Sequence, residues 1–414
     1  MPEQDGAAGV RDHDGDRDDD RERKLVDDLL NDRTYHIEFN GHLTNHAKHA
    51  VVALAGLGVP AQQIKAYYDN YAALTTYGYG LEPPKPDRHT ITEDNWRQYL
   101  GQRTSFWSYT DFFDAREREL GLDEVLRRYV PELLTGWVGA FTHATIHLGW
   151  ALDVGNRWMA IEGLAYMAFT YVDCHPERST GPATDDASPA DSLLRLAGEW
   201  DDRRDELTQW VAEVLADTSP VEDGRIHPEL LRSGLQFRIA RTLDAGHPLI
   251  HAEPGWLKDG TPDWDALYYA VTLLYLSQPG DFVLLHLITS LHAVEQISRR
   301  LPAGEHRRAV HCFWTGLLGT VFSGGSFPRR PKLAALHGLF EDAADSGADE
   351  ARQQDWRTIV ARAVLEEEEH NPKLVYVLRR VWERTGRRSV YRVAAGQFTA
   401  TPELPPTFEE PPTE

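Results

Sequence analysis

The chain has 414 residues, with 65 Asp and Glu against 43 Lys and Arg, a formal net charge of −22. So acidic a balance argues against nucleic acid and anionic lipid as partners, since both need a Lys/Arg face. Two cysteines, Cys174 and Cys312, supply neither a disulfide framework nor a cysteine-rich zinc module, and a reducing, cytoplasmic setting is expected.

Residues 1–24 lack the apolar core of a signal peptide, and their interleaved Asp and Arg predict a disordered charged tail. Residues 25–400 are expected to form a single large multi-helix domain of the all-α class. The Pro- and Glu-rich stretch 401–414 reads as a second tail. Apolar spacing predicts helices over 44–56, 60–74, 109–119, 123–152, 157–172, 190–216, 228–244, 264–277, 281–300, 306–322, 352–368 and 371–386. Asp191 and Asp263 read as N-caps, and Pro60 and Pro131 as residues of first helical turns. Loops are expected at 78–92, 174–189, 217–227, 245–262 and 323–333.

Two stretches invite other readings. Gly56-Leu57-Gly58-Val59-Pro60-Ala61 matches the loose dinucleotide fingerprint, but no β-α alternation follows, so a helix–turn–helix junction is expected. Leu133–Leu152 carries no Asp, Glu, Lys or Arg over about one bilayer span. It holds His143 and His147, whose imidazoles would be costly in lipid, so a buried core helix is expected and no membrane partner.

The 18 histidines are the main chemical signal. A single histidine on an apolar helix is ordinarily a satisfied core residue, and His89, His175, His227, His247, His251, His306, His311 and His337 are read so. His42, His46 and His49 follow i, i+4, i+7 spacing on one helical face, and His143 and His147 follow i, i+4. His286 and His292 share another apolar helix, and His370 precedes Lys373 by three residues. Burying many imidazoles without partners costs free energy at each, whereas one metal ion satisfies several, and imidazole suits iron, zinc, copper and nickel. Ala144 stands where a zinc-protease helix has glutamate, which argues against that chemistry.

Glu367 and His370 form a Glu-x-x-His pair, but a di-iron bundle needs two, and the run Glu366–Glu369 reads as a solvated acidic face. Lys373 opens the apolar run Leu374–Leu378. It is either a plain surface lysine or a desolvated amine of lowered pKa, able to take up carbon dioxide as a carbamate oxygen ligand. No nucleophile elbow or phosphate loop is present. Tyr67, Tyr68, Tyr71, Tyr77, Tyr79, Trp137 and Trp150 cluster near the histidines. Most are expected in the core, although a flat aromatic substrate would want such walls.

Four blocks together resemble the questin oxidase-like family over roughly residues 35–385. They are Phe39–Gly58 (FNGHLTNHAKHAVVALAGLG), Gly139–Leu152 (GAFTHATIHLGWAL), Leu284–Ala293 (LLHLITSLHA) and His370–Leu374 (HNPKL). The resemblance implies an oxygenase that uses O2 to cleave a ring of an aromatic, anthraquinone-like polyketide at a mononuclear non-haem Fe(II). Carried onto this sequence, it implies His46, His143, His147, His286 and a carboxylated Lys373 as catalytic and metal-binding residues, with His42, His292 and His370 in reserve. NADPH is associated with the reaction class, although no nicotinamide motif is present. Three alternatives stand beside this reading: a metal-free, NADPH-requiring Baeyer–Villiger monooxygenase with acid/base histidines, a non-catalytic binder of an aromatic metabolite, and a di-iron bundle.

Overall fold

The computed structural model describes residues 13–86, 88–178, 183–257, 262–341 and 355–402. Among these the regular structure is helical apart from one antiparallel hairpin, Glu38–Phe39 with Leu43–Thr44.

Three helices make the centre: His143–Val154, Arg157–Phe169 and Phe282–Ser298. Apolar all round rather than along one stripe, they are buried almost throughout, as such sequences require. Their backbones approach closely at glycines. A Cβ on Gly149 would lie 2.3 Å from Ala293 Cα, and one on Gly163 would lie 2.5 Å from Leu148 Cα. The helices Ala47–Gly56 and His370–Arg384 pack onto this centre and close the site. No helix among the described residues is long and apolar enough to cross a membrane.

The uncharged stretch does not form the single helix expected over 123–152. The helix Leu122–Leu133 runs into a 3₁₀ turn, Leu134–Gly136, and a new helix starts at His143. Between them Ala140, Phe141 and Thr142 take φ values of 49°, 51° and 70°. Left-handed backbone costs a residue with a Cβ about 1–2 kcal/mol, so three in a row is a marked local strain.

Other boundaries differ for local reasons. The first histidine helix begins at Ala47, because Leu43 and Thr44 pair in the hairpin, so His42 does not share a helical face with His46 and His49. The expected 190–216 helix breaks at Arg203. Its first half is capped by Ser188, whose Oγ accepts the Asp191 N–H at 3.1 Å, which puts Asp191 inside the first turn. Asp263 caps as expected. Pro60 is the residue before its helix, and Pro131 lies near the end of one. Helices Arg330–Phe340 and Ser389–Ala395 were not expected. The helix predicted over 352–368 runs Trp356–Leu365, with 352–354 outside the described residues. The glycine fingerprint is the turn between Ala47–Gly56 and Ala61–Ala73, with Gly58 at φ +83°. Residues 1–12 and 403–414 of the expected tails lie outside the described residues, and a helix already begins at His13.

The Gly149 contact supplies a test. Gly149→Ala pushes a methyl into the Ala293 backbone and is expected to cost about 1–3 kcal/mol, seen as a lower denaturant midpoint at unchanged m-value.

Candidate metal centre

Four imidazoles from four separate segments meet in a closed ring. His46 is the residue preceding Ala47–Gly56, His143 opens its helix, His286 lies in Phe282–Ser298 and His370 opens His370–Arg384. Successive ring centroids, His46–His143–His286–His370 and back to His46, are 4.6, 4.7, 4.7 and 4.6 Å apart. The diagonal from His143 to His370 is 6.2 Å. All four side chains are buried.

Hydrogen bonds fix which nitrogens face inward. His143 Nδ1 lies 2.6 Å from the Ala140 carbonyl, and His286 Nδ1 lies 2.7 Å from the Phe282 carbonyl. His370 Nδ1 bonds the Glu368 carboxylate. A carbonyl or carboxylate accepts, so each Nδ1 must carry the proton, and each neutral ring then has only a lone pair on Nε2. The Nε2 atoms of His143 and His286 face each other at 2.9 Å, and that of His370 is buried without a partner. Two lone pairs at that distance repel unless a cation sits against both. Two nitrogens bound at right angles to one ion at ~2.1 Å would be about 3.0 Å apart, so the donor set fits a transition metal.

Lys373, one turn after His370 and buried, places Nζ 2.9 Å from His46 Nδ1. Burial pulls its ammonium down to about 8, against the opposing charges of Glu369 and Glu368. Glu369 is fully buried. One oxygen accepts from Thr76 at 3.1 Å, and the other has no partner and lies 3.9 Å from His46 Nε2. Burial and the neighbouring Glu368 push this carboxyl up to about 7. The acidic run is therefore not a solvated face throughout: Glu367 is exposed, but Glu368 and Glu369 turn inward.

His147 does not join the ring. Its Nδ1 lies 3.0 Å from His49 Nε2, and its Nε2 lies 3.3 Å from Glu162 Oε2. Glu162 also accepts from Lys48 Nζ at 2.6 Å and from Trp158 Nε1 at 2.8 Å. His49 Nδ1 comes within 3.5 Å of His46 Nδ1, so a buried polar chain runs from Lys48 through Glu162, His147 and His49 to the ring. Burial raises the Glu162 carboxyl, but Lys48 and His147 outweigh it and hold it below its ordinary range. His292 is elsewhere, tied to Asp153 at 3.0 Å, and His42 lines a cavity beside the ring.

That cavity, about 210 Å³, is walled by Leu43, Tyr77, Phe141, Leu235 and Phe282, with His46 and His143 on its floor. Phe141 stacks on Phe282 at 5.8 Å and 22°, so the strained turn that precedes His143 also supplies an aromatic wall. Gln236 reaches the same cavity with its Oε1 buried and unpartnered. The sequence places His49 near His46 by its three-residue spacing but gives it no role. Glu368 and Glu369 are read there as part of a solvated face, and Gln236 leaves no signal.

Comparison with known proteins adds three findings. The family described as Questin oxidase-like matches residues 43–378. Oxidoreductase AflY of Aspergillus parasiticus is 30% identical over 142 residues, covering 32% of this chain and 28% of that protein. Baeyer-Villiger oxidase AgnL3 of Paecilomyces divaricatus is 27% identical over 155 residues, covering 33% of this chain and 32% of that protein. The matched segments thus span under a third of each relative.

Two expectations follow from the electrostatics. Burial holds His46, His49, His286 and His370 well below the usual imidazole range, and His143 at about 3. The unfolded chain binds those protons below pH 6.5 and the folded one does not, so stability is lost as pH falls through 6.5, by about 1.4 kcal/mol per pH unit for each ring kept neutral. Unfolding of chelator-treated protein from pH 7.5 to 5 checks this, and a flat profile contradicts it. Glu162→Gln leaves the Lys48 ammonium buried and unpaired and is expected to cost about 3–5 kcal/mol, with Lys48→Met in the same chain restoring much of the loss.

Proposed function

The chain belongs to the questin oxidase-like family, and from that footing we propose that it is an oxygenase opening a ring of an aromatic, anthraquinone-like polyketide with dioxygen. The reaction takes place at a mononuclear non-haem iron held by His46, His143, His286 and His370, with carboxylated Lys373 as the oxygen donor. The observation that carries this reading is the facing pair of Nε2 atoms, 2.9 Å apart, on two rings whose other nitrogens are committed to carbonyls. His370 replaces His147 in the proposed ligand set because His49 and Glu162 occupy both His147 nitrogens.

Lys373 suits the carbamate. Its amine is buried beside His46 and held toward the neutral form that adds carbon dioxide, releasing one proton. The unpartnered oxygen of Glu369 supports a second reading, in which that carboxylate is the oxygen donor and Lys373 stays an amine.

A redox-active ion bound there supplies the electron that lets triplet dioxygen react with a closed-shell ring. The chain does the rest. Phe141, Phe282, Leu43 and Leu235 exclude water and hold a flat ring over His46 and His143. The buried Gln236 Oε1 accepts from a phenolic hydroxyl and fixes which edge of the ring faces the imidazoles. Ala140, Phe282 and Glu368 keep the Nδ1 protons in place, so the rings neither rotate nor change tautomer. The name of the relative, Baeyer-Villiger oxidase AgnL3, favours one other chemistry, a Baeyer–Villiger oxygen insertion. In the metal-free form of that reading the two electrons come from NADPH.

Elemental analysis of protein purified without oxygen or chelator is expected to give about one iron per chain. His143→Ala, His286→Ala and His370→Ala are each expected to lose it, and His147→Ala to keep it. A folded His370→Ala protein with full iron overturns the ligand set. A carbamate carbon signal from ¹³C-bicarbonate, absent in Lys373→Arg, separates the lysine from the Glu369 reading. With labelled dioxygen, two labelled oxygens in the product support ring cleavage at iron. One labelled oxygen with NADPH consumed, in metal-free protein, supports the alternative.

A further inference from the structure

Residues 396–402 leave the helix Ser389–Ala395 and return to the turn that carries His370. The sequence reads Thr401 and Pro402 as the start of a tail, yet the segment is tied down along its length. Tyr275 donates its hydroxyl to the Gln397 carbonyl, and the Arg362 guanidinium lies 3.8 Å from the centre of the Phe398 ring. Buried Asn371 pairs with Thr399 in both directions. Its Nδ2 donates to the Thr399 carbonyl at 3.1 Å, and its Oδ1 accepts the Thr399 N–H at 2.9 Å. Asn371 directly follows His370, so this strap is pinned to the turn that bears a proposed ligand. Pro402, at its end, lines the ring cavity together with His46 and His143.

The strap also reaches the carboxylate that holds His370. The Thr401 hydroxyl donates to Glu368 Oε2. The other oxygen, Oε1, accepts twice from His370, from Nδ1 and from the backbone N–H at 3.2 Å. Glu368 is buried, and among the described residues Thr401 makes the only hydrogen bond to Oε2. A carboxylate held at one oxygen alone swings about its terminal torsion, whose energy profile is broad. Held at both, it keeps one plane, and His370 keeps its Nδ1 proton in place and its Nε2 free for an ion.

We propose that Thr401 is a positioning residue of the metal centre, acting through Glu368 to hold the His370 imidazole. The proposal rests on the ligand set above and adds the C-terminal strap to the parts that build it. The Asn371–Thr399 pair and the Tyr275–Gln397 bond anchor the strap without Thr401, so Thr401→Val removes one hydroxyl and leaves the strap in place.

The test compares the full unaltered chain with Thr401→Val and Thr401→Ser in two readouts. The first is Co(II) affinity, measured against a competing chelator together with the visible ligand-field spectrum. Thr401→Val is expected to bind about tenfold more weakly or worse, with an altered spectrum, and Thr401→Ser, which keeps the hydroxyl, within about threefold of the unaltered chain. The second readout needs no metal. In metal-free protein the His370 Nδ1 proton, identified by its loss in His370→Ala, is expected as a slowly exchanging downfield ¹H signal. Thr401→Ser is expected to keep that signal, and Thr401→Val to exchange it roughly tenfold faster. Unchanged cobalt affinity in Thr401→Val, a proton signal that is absent from the unaltered chain or unchanged in Thr401→Val, or an equal loss in Thr401→Ser overturns the proposal. A folded unaltered chain that takes up no cobalt overturns the metal reading instead, and the proton signal then decides by itself whether Thr401 positions His370.

Discussion

Everything around the site depends on where three protons sit. Once the Nδ1 atoms of His143, His286 and His370 donate to Ala140, Phe282 and Glu368, the opposite nitrogens have only lone pairs to offer. A protonated ring would relieve the repulsion between His143 and His286, but burial makes an imidazolium expensive there, and the nearby Lys373 charge adds to the penalty. The protein has thus removed the two ordinary ways of stabilising buried imidazoles, mutual hydrogen bonding and ionisation. The remaining way to satisfy these lone pairs is the bound cation proposed above.

The strained backbone before His143 follows from the same demand. A continuous helix from 123 would bond its own carbonyls, including that of Ala140, to amides one turn on. Breaking the helix with a left-handed turn points the Ala140 carbonyl back at His143, where it accepts both the His143 amide at 3.2 Å and the Nδ1 proton, and swings Phe141 across to Phe282. The strain persists because the surroundings over-determine it. The helix that follows is buried on every side and locked backbone to backbone against its neighbours at Gly149 and Gly163.

Much of this was legible in the sequence and some of it could not be. The all-helical class follows from apolar spacing. His143 and His286 stood out because each sits in an apolar run where an imidazole needs a reason, whereas His46, between Asn45 and Lys48, was singled out by the family resemblance. His147 misled because i, i+4 spacing alone cannot say that the next helix supplies Glu162 to one of the pair and nothing to the other. His370 was held back by the four glutamates before it. A charge run ordinarily faces water, and only the turn of the chain at the start of His370–Arg384 sends Glu368 and Glu369 inward while Glu367 stays out. The left-handed turn carried no Gly or Asn to announce it. The dominant local force at 140–142 is long-range packing, which a sequence pattern does not record.

Charge balance ties Lys373 to the proposed ion. A divalent cation beside an ammonium, with Glu368 as the ionised neighbour, would leave two uncompensated positive charges in a site sealed from water, a state that low-dielectric surroundings penalise heavily. Converting the amine to a carbamate removes the lysine's charge and adds a negative one, so ion, carbamate and Glu368 sum to zero. Glu369 is then free to stay protonated, in keeping with a carboxyl already pushed up to about 7. If Lys373 kept its proton, Glu369 would have to ionise against its own burial and one positive charge would still remain. Ion, carbamate and Glu368 balance with Glu369 protonated, and ion, neutral amine and two ionised glutamates balance as well. The arrangement that the site disfavours is therefore the one in which Lys373 keeps its ammonium beside the proposed ion.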